Sequence, residues 1–405
     1  MIIAHLADLH LGYRAYHRLV AGEDGDSPRY NARERDVSSA FRAALDRIIE
    51  MRAGLVLVAG DIFHTVRPSN SAIADAFRQF ARLNAALPRT PVVIIAGNHD
   101  SPRAIETGSI LTLLQEIPNV TVIDREARVI EFPSLDTAVY CIPHNVLAGG
   151  SLGELEPTTE AGTQILMMHA TVRGEAVDRL LSYVSEFGGA QIDISDIRIE
   201  RWDYVALGHY HLATQLAPNM WYAGAIERTS TNIWIETGPK GFVTWDTRRK
   251  QGAFHAVPTR PIIELPRFSA WRADQGQFLD PVEVDRLIRE RVEHAPDGIG
   301  GRIVRLIIDD VPRELFRDLD HRRLREYRAS ALHFHLDARR PTRRPVTTDG
   351  HRHPPRPLDE EAAEFLGTIW QPSAGDIDRD QLVQLARQYL ARAGTDPDEP
   401  LLELP

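Results

Sequence analysis

The sequence predicts an α/β protein in which two β-sheets pack face to face with helices outside, and two observations predict it. Short apolar runs alternate with helical stretches in the early part of residues 1–250, and the later part is strand-rich. Several of the runs, Leu55–Ala59 among them, lack the polar alternation of a half-exposed strand and read as buried.

Taken in order, Ile2–Leu6 reads as the first strand, and an irregular stretch follows over 12–31. The spacing of Val37, Ala40, Phe41, Ala44, Leu45, Ile48 and Ile49 predicts a helix over 32–52. Leu55–Ala59 is the second strand, 71–87 a helix with Ser69 or Asn70 as cap, and 91–96 the third strand. A helix is expected over 104–114. Strands are then expected over 120–123, 129–132, 138–142, 164–168, 204–207, 220–223 and 241–246.

Pro258, Pro261 and Pro266 punctuate the chain after that and suggest a domain boundary, giving a first domain over 1–256. A small α+β unit is expected over 257–338, with helices at 282–294 and 313–327 and strands at 301–308 and 330–336. Its helices carry Arg313, Arg317, Arg322, Arg323, Arg325 and Arg328, either a solvated face or a phosphate-contacting one. Residues 339–358 read as a linker rich in Pro and Arg. Beyond it, 359–405 holds two amphipathic helices, at 360–369 and 378–393, that either fold back or dock onto a partner.

With 405 residues the chain has room for two or three domains. Its 43% hydrophobic and 26% charged residues place it among globular rather than disordered chains. Cys141 is the only cysteine, so no intrachain disulfide forms, which is consistent with a reducing compartment; Cys141 itself reads as a buried strand residue. No apolar run approaches the roughly 20 residues that span a bilayer. The start, Met1–His5, lacks a leader pattern. No membrane partner is expected, and the expected location is the cytoplasm. The net charge of -10 argues on its own against non-specific nucleic-acid binding. Part of the acid excess lies near the C-terminus, however, and bound metal ions would reverse the sign of a cleft.

The ends of the strands carry the chemistry. Asp8 and His10 follow the first strand, and Gly60-Asp61-Ile62-Phe63-His64 the second. Gly97-Asn98-His99-Asp100 follows the third, His169 ends a fourth, and Gly208-His209-Tyr210-His211 closes the series. Asp8 and His10, two apart on an extended segment, are expected to point to the same side. Gly60 permits a sharp turn, after which Asp61 can bridge two ions. Oxygen and imidazole donors without thiolate suit borderline-hard divalent ions such as manganese, iron or zinc. Asp8, His10, Asp61, Asn98, His169, His209 and His211 are too many for one ion. They suit two, the arrangement that hydrolyses phosphate esters. His64 and His99 fit supporting roles. His99 is the better candidate to stabilise the transition state or protonate the leaving oxygen, with Asp100 orienting its ring.

This ordered series resembles that of the calcineurin-like metallophosphoesterases over residues 1–250. The resemblance implies a two-sheet αββα sandwich with a dinuclear metal centre. More narrowly, the chain is similar to the DNA double-strand-break repair nucleases, the SbcD-type subunits of SbcCD and their archaeal and eukaryotic counterparts. That likeness is carried by Ile3–Tyr13, Gly60–His64, Gly208–His211, Tyr222–Thr229 and Lys240-Gly241-Phe242, and by the unit after 257, which matches their DNA-capping domain.

The resemblance implies one ion on Asp8, His10, Asp61 and His211, and another on Asp61, Asn98, His169 and His209. His99 would serve the scissile phosphate, with His64 supporting. Manganese is the implied ion, with magnesium, iron and zinc as alternatives. The implied activity is 3'-5' exonuclease and endonuclease action on double-stranded DNA ends and hairpins. The implied partners are an SbcC-type ABC ATPase with a long coiled coil, docked through helices beyond a linker, and a second copy of the chain. Ala225, Ala170 and residues 230–239 depart from the usual pattern without removing a ligand. Two other readings stand beside this one: a phosphodiesterase or phosphatase for a small molecule, and a DNA-end-binding scaffold with little catalysis.

Overall fold

The computed structural model describes residues 1–20, 30–101, 108–150, 152–175, 177–178, 189–341, 358–370 and 378–393. Most of the expected linker, with His351 and His353, lies outside them, as do residues 104–107 of the expected helix. The chain forms two units, Met1–Arg339 and Arg340–Pro405.

In the first unit the principal elements are β1 (Ile2–Leu6), α1 (Ala32–Met51), β2 (Leu55–Ala59), α2 (Asn70–Ala86), β3 (Val92–Ile95) and β4 (Val120–Ile123). There follow β5 (Arg128–Phe132), β6 (Thr137–Ile142), β7 (Thr163–His169), β8 (Tyr204–Gly208), β9 (Thr214–Ala217), β10 (Met220–Tyr222), β11 (Gly241–Asp246) and β12 (Gln251–Ala256). The last are β13 (Ile262–Ser269), α3 (Pro281–Glu293), β14 (Ile303–Asp309), α4 (His321–Ser330) and β15 (His333–Ala338).

Two six-stranded sheets result, in the orders β12-β11-β1-β2-β3-β4 and β9-β10-β8-β7-β6-β5. Within each, four neighbouring strands run parallel: β1 to β4 in the first, β6, β7, β8 and β10 in the second. Alternation along the strands divides their side chains between two cores. Ala4, Leu6, Val56, Val58 and Ile94 meet Val37, Phe41 and Leu45 of α1 and Phe80 of α2. Ile3, Leu55, Leu57, Val93 and Ile95 face Val139, Ile165, Met167, Tyr204 and Ala206 of the other sheet. Burial on both faces is why these strands read as unbroken apolar runs. The outer face of the second sheet is covered by the short helices His144–Ala148 and Ile194–Ile197 and by Trp202.

The helix ends follow their capping residues. Asn31 accepts a hydrogen bond from the Arg33 N–H to start α1, and Ser69 accepts from Ala72 N–H to start α2. The helix expected over 104–114 is, where described, a 3₁₀ segment at Ile110–Glu116 capped by Ser109. The helix expected over 313–327 is broken into Arg313–Arg317 and α4. Asp320 lies between them and caps α4 by accepting from Arg323 N–H.

The prolines of 258–266 proved partly misleading, because β13 runs through Pro266. The register of β13 against β14 shifts between Leu265 and Phe268, and a proline is tolerated at such a bulge. β13, β14 and β15 form a parallel three-stranded sheet with its own core, including Leu265, Val284, Ile288, Leu306 and Phe334. In the second unit, Leu358–Glu364 continues into a π-turn at Phe365–Ile369, and Arg379–Ala393 forms the second helix. Among the described residues no helix is long and apolar enough to cross a membrane.

His5 is wholly buried between the sheets, its Nδ1 2.8 Å from the Tyr204 hydroxyl, and burial pushes its pKa down to about 3. The unfolded chain protonates it near its ordinary value of about 6.5, so its contribution to stability is complete above that pH and lost as pH falls toward 3. Urea unfolding of chelator-treated protein tests this. The stability difference between wild type and His5→Gln is expected to fall by roughly 1.4 kcal/mol per pH unit between pH 6 and 4. A difference that stays constant with pH would contradict it.

Candidate metal centre

All five strand-end stations converge because the parallel strands of each sheet run toward one edge. β7 and β8 end in register, Gly208 beside His169. At that edge the Asp8 N–H donates to the Gly60 carbonyl of the neighbouring strand at 3.0 Å, and the His209 N–H ties the second sheet to the first by reaching both Asp8 carboxylate oxygens at 3.1 Å.

The local backbone differs from the extended form expected at Asp8 and His10. The strand stops at Leu6, and both residues adopt positive φ, 51° and 47°. Asp61 (54°) and His209 (109°) do the same. Such conformations cost non-glycine residues energy and collect at functional sites. The ligands converge through these left-handed turns rather than through β alternation. Gly60 and Gly97 permit the closeness. A Cβ on Gly60 would overlap the His169 ring, and one on Gly97 would overlap the Asp61 carboxylate.

The donors fall into three overlapping groups, one of them His10, His64 and His99. Asp8, His10 and His211 offer ligand atoms within 4.8 Å of one another, and so do Asp8, Asp61 and His169. His10 Nε2 lies 2.9 Å from His211 Nε2. On the other side, Asn98 Oδ1 lies 2.9 Å from His169 Nε2 and 3.3 Å from His209 Nδ1. Asp61 stands between: its Oδ2 is 3.4 Å from His169 Nε2 and 3.8 Å from His10 Nε2. That oxygen is buried and has no hydrogen-bond partner among the described residues. Buried polar atoms left this way are costly unless something else satisfies them. Divalent ions on both sides of Asp61 would do so, and the donor set, oxygen and imidazole without sulfur, fits them.

The electrostatics agree with a crowded, desolvated site. Burial pushes the Asp8 carboxyl up to about 7, and it holds His10 well below and His209 down to about 3. Burial alone would raise Asp61, but the surrounding imidazoles, His169 foremost, keep it ionised, and Asp61 in turn holds His169 up at about 9.

His64 and His99 line the half-buried side of the cluster, their rings stacked at 5.4 Å between centroids and each edge-on to His10. The expectation that Asp100 orients the His99 ring is corrected. Asp100 is buried and accepts from the backbone N–H groups of Ile62, Phe63 and Gly97, pinning the second station to the third. His99 Nδ1 instead donates to the His64 carbonyl at 2.7 Å, and the His99 backbone N–H donates to Asp61 Oδ1 at 2.8 Å. His144 stands at the edge of the centre, its ring 6.1 Å from that of His169. Two buried residues near His211, Glu236 and Lys240, have no role at the site in the sequence reading, which notes Lys240 only within Lys240-Gly241-Phe242. The signal for Glu236 is an acid four residues before that lysine.

Asp61 thus stands among imidazole and oxygen donors that could hold metal ions. The chain belongs to the calcineurin-like phosphoesterase family, whose match covers residues 1–213. It is also similar to the DNA double-strand break repair protein Mre11 of Sulfolobus acidocaldarius, 28% identical over 216 residues, 52% of this chain and 50% of that one. The protein of the same name from Thermoplasma acidophilum is 28% identical over 241 residues, 56% of this chain and 57% of that one. That of Methanocaldococcus jannaschii is 34% identical over 116 residues, 29% of this chain and 28% of that one. The aligned stretches span at most a little over half the length of these curated relatives.

Proposed function

We propose that the protein is a manganese-dependent nuclease acting on double-stranded DNA ends and hairpins, as the hydrolytic subunit of an SbcCD-like repair complex. The observation that carries this reading is the buried Asp61 Oδ2, without a hydrogen-bond partner among the described residues, standing between His169 and His10. The similarity to proteins named for double-strand break repair supports the choice of DNA as substrate.

One ion would be held by Asp8, His10, Asp61 and His211, and another by Asp61, Asn98, His169 and His209. Bound there, two divalent ions supply an activated water and offset the charge of the phosphate. The chain's own residues do the rest. His99 donates from Nδ1 to the His64 carbonyl, which leaves Nε2 as the atom that holds or passes a proton at the leaving oxygen. Asp100 fixes the loop that carries His99. Arg322, Arg325 and Arg328 on α4 are exposed and suit contacts to DNA phosphates.

The apolar surface formed by Ile73, Phe77, Leu113 and their neighbours supports a homodimer contact through α2. Phe365, Leu385 and Tyr389 leave an exposed apolar face on the C-terminal helices and support docking of a coiled-coil ABC ATPase there.

Manganese-loaded protein is expected to degrade linear duplex DNA, and activity on a chromogenic phosphodiester alone would contradict the nuclease reading. Removing residues 358–405 is expected to leave that hydrolysis intact and abolish ATPase binding. Retained binding would refute the docking role.

A further inference from the structure

We propose that Glu236, locked in place by Lys240, is a positioning residue that holds His211 in the tautomer and orientation needed to bind the first ion; this rests on the two-ion reading above. The segment that carries Glu236 folds over the last ligand station. Its buried carboxylate faces His211 Nδ1 at 3.8 Å, while His211 Nε2, on the other side of the ring, faces His10. A carboxylate beside Nδ1 favours the proton on that nitrogen and leaves the Nε2 lone pair for an ion, the arrangement that carboxylates commonly impose on metal-binding histidines.

Lys240 completes the device. Its ammonium donates to Glu236 Oε2 and also to the His211 carbonyl at 2.6 Å, so one side chain fixes both the orienting carboxylate and the backbone of the ligand. The Ser230 N–H donates to Glu236 Oε1 at 3.0 Å, and Arg228 Nε donates to the Glu236 carbonyl at 3.0 Å, so neither the carboxylate nor its backbone is free to drift. Lys240 directly precedes β11, a central strand of the first sheet, which anchors the assembly to the scaffold. A wholly buried Lys–Glu pair is a poor source of stability, because desolvation offsets its attraction. Its placement against a ligand histidine accounts for it better.

The test is Mn²⁺ titration of the chelator-stripped full chain by calorimetry, with electron paramagnetic resonance of the bound ions and the melting temperature of the metal-free protein as controls. Glu236→Gln is expected to bind the first ion 10- to 100-fold more weakly while the second site changes little, and to lower the metal-free melting temperature because the Lys240 ammonium is left buried without its partner. Unchanged affinity at both sites would overturn the proposal. Because Glu236→Gln strands the Lys240 charge, the Glu236→Gln/Lys240→Met double variant is measured beside it. The same selective loss in the double variant supports positioning, whereas recovery of wild-type affinity would show that only charge balance mattered and would overturn it. Wild-type protein that takes up no ions would sink the two-ion reading itself; two ions in the wild type and no selective loss in the variants would sink this inference alone.

Discussion

Asp61→Asn is expected to leave a folded protein that no longer holds two ions together and cleaves DNA about a thousandfold more slowly, or worse. The amide keeps the shape of the side chain and can still accept the His99 N–H that now reaches Oδ1. It loses the charge that Oδ2 places between His169 and His10. Manganese stoichiometry and initial rates on linear duplex check this. Two ions bound at wild-type affinity in the variant would contradict the bridging role.

His99→Ala is expected to behave differently. His99 contacts Asp61 only through its backbone N–H, which alanine retains, and its ring hydrogen-bonds to the His64 carbonyl. Ion binding is therefore expected to survive while the rate falls about 10²- to 10⁴-fold, the usual weight of a positioned general acid. An unchanged rate with the purified, manganese-loaded variant would remove His99 from the chemistry and point to a contaminating nuclease.

The contrast between these two residues matches what the sequence made legible. The strands beneath the site were readable because parallel strands buried on both faces are continuous apolar runs, and each ended at a polar station in the same order. β11 coincides with its expected span. What stays hidden in a linear sequence is backbone conformation at the turns. Nothing in the Asp8-Leu9-His10 spelling announces two left-handed residues, which the contacts with Gly60 and Asp61 impose. Asp100 was misread for a related reason. Adjacency to His99 suggested a side-chain partnership, but a buried carboxylate near three unpaired backbone N–H groups satisfies those instead. Glu236 escaped notice because it reaches His211 from 25 positions away, through a loop with no periodic pattern. The broken helix at Asp318–Asp320 and the strand through Pro266 are lesser cases, decided by capping and by a bulge rather than by apolar spacing.

The most direct test of the central claim, two ions sharing Asp61 beside a DNA phosphate, is a crystal structure of the manganese-loaded protein with a short duplex, phased at the manganese edge. Two anomalous peaks flanking the Asp61 carboxylate, with a backbone phosphate within reach of the His99 ring, are the predicted result. A single peak, or a duplex bound away from the cluster, would contradict it.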